Sequence, residues 1–134
     1  MNYQVSFDNT DNIVKVVVTG DLDNDIRKAI LHDVDSAMKT HACHRAIIDL
    51  RQAVFNPSEP MEGAVELIMY MSSIHMKLDS KLAFVYSDAE DQRKMFEKFS
   101  RKFGYQLRYF KDPETAQHWL LATDSRSSSR PLSN

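Results

Sequence analysis

Residues 45–60 read Arg-Ala-Ile-Ile-Asp-Leu-Arg-Gln-Ala-Val-Phe-Asn-Pro-Ser-Glu-Pro. An apolar run, Ala46-Ile47-Ile48, ends in Asp49-Leu50-Arg51, and a polar segment carrying Ser58 between Pro57 and Pro60 leads into a Met-rich stretch with helical spacing. A short apolar run bounded by polar residues is how a strand buried on both faces of a sheet reads. In an α/β sheet such a strand delivers its loop to the carboxyl edge, where these folds place their working residues. The expectation is therefore a strand over 46–50, a loop over 51–60 and a helix beyond it.

Upstream, Tyr3, Val5 and Phe7 alternate with polar neighbours, the period of a half-buried strand. Residues 8–12 are turn-forming, and Ile13 to Val18 is β-branched, so the two segments predict an N-terminal hairpin that Gly20 stops. Asp21, Asp23 and Asp25 offer caps and first-turn acids to a helix whose inward residues are Ile26, Ala29, Ile30, Val34, Ala37 and Met38. Downstream, Ala64, Val65, Ile68, Met71, Ile74 and Leu78 form one stripe of a second helix, with Leu67, Met69 and Tyr70 off that stripe. A helix apolar on more than one side needs covering, by a second subunit or by a ligand.

Leu82 to Tyr86 is a further buried strand, and Ser87-Asp88-Ala89-Glu90 fits a capping box for a third helix with Phe96, Phe99 and Phe103 inward. Gly104 ends that helix. Tyr105 to Phe110 is the last strand. Asp112-Pro113 then caps a closing helix with Ala116, Trp119 and Leu120 turned inward. The domain is expected over residues 1–122, and 123–134 is too poor in apolar residues to pack, so a disordered tail is expected there. The order β-β-α-β-α-β-α-β-α predicts an α/β fold, a mixed sheet of about five strands with helices packed on it.

Composition bounds the function. At 134 residues, 43% hydrophobic and 27% charged, the chain has the make-up of a single globular domain. The polar, acidic first twelve residues predict no secretory signal, and the lone Cys43 fits a reducing, cytoplasmic setting. A net charge of −2 gives no overall pull toward nucleic acid, although residues 93–111 hold seven Lys/Arg against one Glu.

These residues also resemble a known family. A strand of the form apolar-apolar-Asp-Leu, a short loop with a Ser, a strand ending Tyr86-Ser87-Asp88 and the closing run Tyr109-Phe110-Lys111-Asp112-Pro113-Glu114-Thr115-Ala116-Gln117-His118-Trp119-Leu120 are similar to the STAS superfamily, and within it to the bacterial SpoIIAA-like or STAS/SEC14-like group. The resemblance spans residues 1–122. It implies a non-enzymatic regulatory or protein-interaction module. In the anti-sigma-factor antagonists of that superfamily, the loop carries Asp-Ser-Ser-Gly with a phosphorylated serine, and Ser58 falls on the first of those two serines. Here Pro57 stands in place of the acid and Glu59-Pro60 in place of Ser-Gly, so a kinase that reads Asp-Ser-Ser-Gly does not find its site. The SEC14-like side of the resemblance implies instead a carrier or sensor of an apolar or lipid-like ligand.

Each candidate site has a plainer reading beside the functional one. Ser58 is a candidate phosphoacceptor, but at the start of a helix it also serves as an N-cap. Asp21, Asp23, Asp49, Ser87 and Lys111 resemble the acid, hydroxyl and lysine set of a phosphoacceptor receiver. Asp21 and Asp49 are too close in sequence for that layout, and Asp21, Asp23 and Asp112 are natural caps. His41, Cys43 and His44 crowd one junction and cannot easily converge on a metal, so no metal or other cofactor is expected. Lys94, Lys98, Arg101 and Lys102 share one helix face, which is most simply a solvated one. The methionines Met61, Met69, Met71 and Met76 either fill the core or line an adaptable groove. With no acid–base or nucleophile–base pair to nominate, the chain is expected to bind a protein partner, which includes a second copy of itself as a homodimer. The candidate binding residues are Asp49, Arg51, Ser58, Glu59, Met61, Val65 and Met69.

Overall fold

The computed structural model describes residues 3–55, 62–86 and 91–129. Its elements are β1 (Tyr3–Asp8), β2 (Ile13–Leu22), α1 (Asn24–Thr40), β3 (Arg45–Phe55), α2 (Glu62–Ser73), β4 (Lys81–Val85), α3 (Asp91–Lys102), β5 (Gln106–Phe110) and α4 (Pro113–Ser129). This is the expected order. The strands form one five-stranded sheet in the order β1-β2-β3-β4-β5, with β1 antiparallel to β2 and every other pair parallel. The hairpin needs only a tight turn, in which the Asp8 carboxylate accepts the Thr10 and Asp11 N–H groups. The parallel pairs need α1, α2 and α3 as crossovers.

Alternation along each strand sorts the core into two layers. Val14, Val16 and Val18 of β2, Ala46, Ile48 and Leu50 of β3, and Leu82 and Phe84 of β4 point to the face packed by α1, α2 and α3. Ile13, Ile47, Ala83, Val85 and Phe110 point to the opposite face, where Ala116 and Leu120 of α4 cover them. All five residues of β4 are buried, as expected of a strand between two helical layers. Two long-range hydrogen bonds tie the periphery down: Tyr3 Oη donates to Asp33 Oδ2 of α1 (2.7 Å), and Gln117 Nε2 of α4 donates to Asp11 Oδ2 in the hairpin turn (2.7 Å).

Several expectations differ from the structure. First, Gly20 does not stop β2. It adopts φ 80° inside the strand, just past a register shift between Val17 and Thr19, and pairing resumes from Thr19↔Gln52 to Leu22↔Phe55. A bulge followed by a residue that tolerates positive φ bends a strand without ending it. Second, and as a consequence, β3 runs to Phe55, so Arg51 and Gln52 are strand residues and the loop is shorter than expected. Third, α2 ends at Ser73, and the stripe facing the core is Ala64, Leu67, Ile68 and Met71. Leu67 packs inward while Val65 and Leu78 are exposed. Phe103, expected inward, is also exposed. The closing helix continues to Ser129, beyond residue 122, where composition places the domain limit.

Each of α1, α2 and α3 ends in the same double hydrogen bond. Ala42 N–H reaches Lys39 O and Cys43 N–H reaches Met38 O; His75 reaches Ser72 and Met76 reaches Met71; Gly104 reaches Arg101 and Tyr105 reaches Ser100. The residue that turns the chain is left-handed in every case, at φ 52° for Ala42, 59° for His75 and 92° for Gly104. The next residue, Cys43, Met76 or Tyr105, is buried. These are Schellman endings, in which a left-handed residue satisfies the last carbonyls and an apolar one follows it into the core.

Candidate functional site

The Asp49 and Arg51 side chains lie on the same sheet face as Ile47, because residues two apart along a strand share a side. They bind each other. Arg51 Nε donates to Asp49 Oδ1 at 2.9 Å, Nη2 to Oδ2 at 2.7 Å, and the Arg51 backbone N–H to Oδ1 at 3.0 Å. This bidentate guanidinium contact, more than any other influence, holds the Asp49 carboxyl below the usual carboxylate range, and burial opposes it only in part. Both oxygens are therefore occupied and ionised, which suits a fixed recognition or structural pair and not a proton shuttle. The Asp112 carboxylate adds to the attraction on Arg51. Its own pKa is lowered chiefly by the Thr115 N–H that it accepts as the cap of α4.

On α2 the side chains divide cleanly. Met71 is fully buried, whereas Val65 is 40% and Met69 65% exposed; Met76, which follows the helix, is buried too. Val65 and Met69 are one helical turn apart, so they share the outer face of α2. The neighbouring acid on that helix, Glu66, is already used: Lys28 of α1 forms an ion pair with it, and Asn24 Nδ2 also donates to it at 3.3 Å. The contact with Lys28 lowers the Glu66 pKa and raises that of Lys28. Ser58, Glu59 and Met61 lie outside the described residues, as do Ser87 and the capping box it opens.

Under α2 an apolar space of about 30 Å³ is lined by Ile30, Ile48, Leu50, Leu67, Phe84 and Phe96, among others. That is room for one or two water molecules. The other candidates have local roles. Asp23 caps α1, accepting the Ile26 N–H at 2.9 Å. Cys43 is buried, with its thiol donating to Asn12 O at 3.0 Å. The His41 ring stacks on Phe7 with centroids 3.9 Å apart.

A feature the sequence did not single out lies at the other edge of the sheet. Tyr86, which follows β4, and Tyr109 of β5 meet edge to face at 5.7 Å between centroids, and Tyr109 also stacks on Phe84 at 5.1 Å. Glu97 of α3 accepts the Tyr109 backbone N–H (3.0 Å) on one oxygen and Arg101 Nη2 (2.9 Å) on the other. An open cleft of about 370 Å³ is bounded by these groups and Lys98. Lys98 and Arg101 were expected on a solvated face, and both are exposed. Tyr86 and Tyr109 read as plain strand residues, so only their three-dimensional meeting with α3 distinguishes them.

No protein-family model matches the chain, and no curated protein matches it. Among solved structures it is similar to an uncharacterized protein of the DUF3478 family with a SpoIIAA-like fold from Shewanella loihica PV-4. That similarity has a TM-score of 0.54 and 15% sequence identity, over 88% of this chain and 91% of that one. It is also similar to the anti-sigma factor antagonist SpoIIAA in its unphosphorylated form, with a TM-score of 0.48 and 14% identity over 95% and 98% of the two chains. The fold is thus SpoIIAA-like, as the resemblance implied. No helix of the described residues is long and apolar enough to cross a membrane.

Proposed function

We propose that the protein is a non-enzymatic interaction module of the STAS kind that acts as a homodimer through the outer face of α2. The observation that carries this reading is the exposure of Val65 and Met69, one turn apart, on a helix whose Leu67, Ile68 and Met71 are buried. Glu66 beside them is ion-paired with Lys28, which reduces the charge repulsion a second copy meets across a twofold axis. A self-complementary apolar strip with its nearest acid already paired is what an isologous contact requires. Asp49 and Arg51 lie on the α4 side of the sheet, away from α2, where their mutual ion pair presents a rigid polar edge and not a reactive group.

The rival reading, a carrier of an apolar or lipid-like ligand held between α2 and the sheet, has less support. The space there is about 30 Å³, and an acyl chain or sterol needs roughly ten times as much or more. Light scattering on the purified full chain tests the choice. The wild type is expected at twice the chain mass and Met69→Lys at the chain mass, with unchanged circular dichroism. A wild-type monomer that co-purifies with a lipid would overturn the dimer in favour of the carrier.

A further inference from the structure

We infer that the cleft between α3 and the carboxyl ends of β4 and β5 binds a small phosphate monoester bearing a planar ring. The cleft is separate from the outer face of α2 and does not depend on the reading of that face. Its volume, about 370 Å³, lies in the range of small-ligand sites. One wall is cationic and the other aromatic, and the two are held in place by the fold.

The cationic wall is Lys98 and Arg101, one turn apart on α3 and both exposed. Glu97, which precedes Lys98 in sequence, pairs with Arg101 and offsets part of this charge, leaving Lys98 and Lys102 in excess. One of its oxygens holds the Tyr109 N–H at the open edge of β5 and the other holds a single guanidinium nitrogen of Arg101. Arg101 has five N–H donors, so most of the fork remains to be filled. Lys98 has no carboxylate partner among the described residues. Lys102, exposed one turn beyond Lys98, adds to the positive field. A fork beside an ammonium matches the several oxygens and double charge of a phosphate monoester better than a single carboxylate.

The aromatic wall is Tyr86 and Tyr109. Phe84 backs one face of the Tyr109 ring and Tyr86 meets it edge to face, so Tyr109 is fixed before any ligand arrives. A planar ring laid against it loses little freedom on the protein side. Glu97 acts as a positioning residue that locks α3 to β5 and so sets the distance between the two walls.

Titration of the 15N-labelled full chain with phenyl phosphate, inorganic phosphate and phenol, followed by two-dimensional NMR, tests the assignment. Saturable shifts are expected at Lys98, Arg101 and Tyr109 with phenyl phosphate, which should bind more tightly than either fragment. Lys98→Gln should weaken binding about tenfold, the loss of one charge-assisted hydrogen bond, and Arg101→Gln should do the same. Both side chains are exposed, so both variants are expected to fold. Equal affinity for phenyl phosphate and inorganic phosphate would overturn the aromatic half of the proposal. Absence of saturable shifts, unchanged affinity in Lys98→Gln, or shifts of equal size around Lys15 and Lys39 would overturn the site.

Discussion

The Tyr3 hydroxyl donates to Asp33 and joins the edge strand β1 to α1, while its ring packs against the main core. Burial first, then that hydrogen bond and the charge of Asp33, push the Tyr3 phenol up to about 12. A phenol whose folded value is raised contributes stability that is complete below its unfolded value. It loses that contribution as pH climbs from the unfolded value toward the folded one. Tyr3→Phe is expected to cost about 1 kcal/mol near neutral pH, and the difference from wild type should shrink as alkaline pH ionises the phenol. Urea unfolding at both pH values reads this directly. The Asp49–Arg51 pair has the opposite sign. A depressed carboxyl contributes above the ordinary carboxylate range, and that contribution disappears as pH falls through its folded value. Asp49→Asn should therefore destabilise at neutral pH by about 1 kcal/mol, a figure held down because Arg51 is part-exposed, and by nearly nothing in acid. At this scale the sequence showed which residues were polar at a strand end. It could not show that Asp49 and Arg51 would bind each other, because that depends on β3 continuing as a strand through both.

Helix ends give the sharpest prediction among the elements. The three crossover helices share one Schellman geometry, yet only α3 supplies the glycine that its left-handed position favours. Ala42→Gly is expected to stabilise the fold by up to about 1 kcal/mol, the steric strain relieved exceeding the entropy that glycine adds to the unfolded chain. Gly104→Ala should destabilise by about 1 kcal/mol. A Cβ there meets Leu78 at an ordinary 3.6 Å, so the cost is backbone strain and not a clash. Thermal unfolding of the two variants measures both. Gly104 was read correctly from the sequence as a helix end; Ala42 and His75 were not, since neither residue type announces a positive φ. The orientation of α2 was misjudged for a related reason. With Val65, Leu67, Ile68, Met69 and Met71 all apolar, periodicity allows several faces, and packing against α1 and α3 selects the one containing Leu67. Met71→Ala is accordingly expected to cost roughly 2–5 kcal/mol, and Met69→Ala within about 0.5 kcal/mol of the isolated subunit.

For the molecule as a whole, the element order and the mixed five-stranded sheet could be read from the sequence because strand and helix periods alternate clearly from Tyr3 to Leu120. Strand lengths could not, since Gly20 and the polar pair Arg51-Gln52 look like boundaries and are instead a bulge region and its partner. The cleft at α3 was also beyond reach, as it depends on side chains from β4, α3 and β5 meeting across the sheet edge. The proposed subunit contact lies on α2 and the proposed small-ligand cleft at α3. Helices α2 and α3 lie on the same side of the sheet and pack against one another, which puts the two sites on one layer of the molecule.

The most direct test of the central claim is a methyl NMR experiment on a mixed sample, half of it labelled at Met and Val methyls and half unlabelled. Intermolecular NOEs are expected from the Met69 and Val65 methyls to the second copy, and none from Val17 or Val54, which are exposed elsewhere. Intermolecular NOEs confined to Val17 or Val54, or none at all at millimolar protein, would contradict that claim.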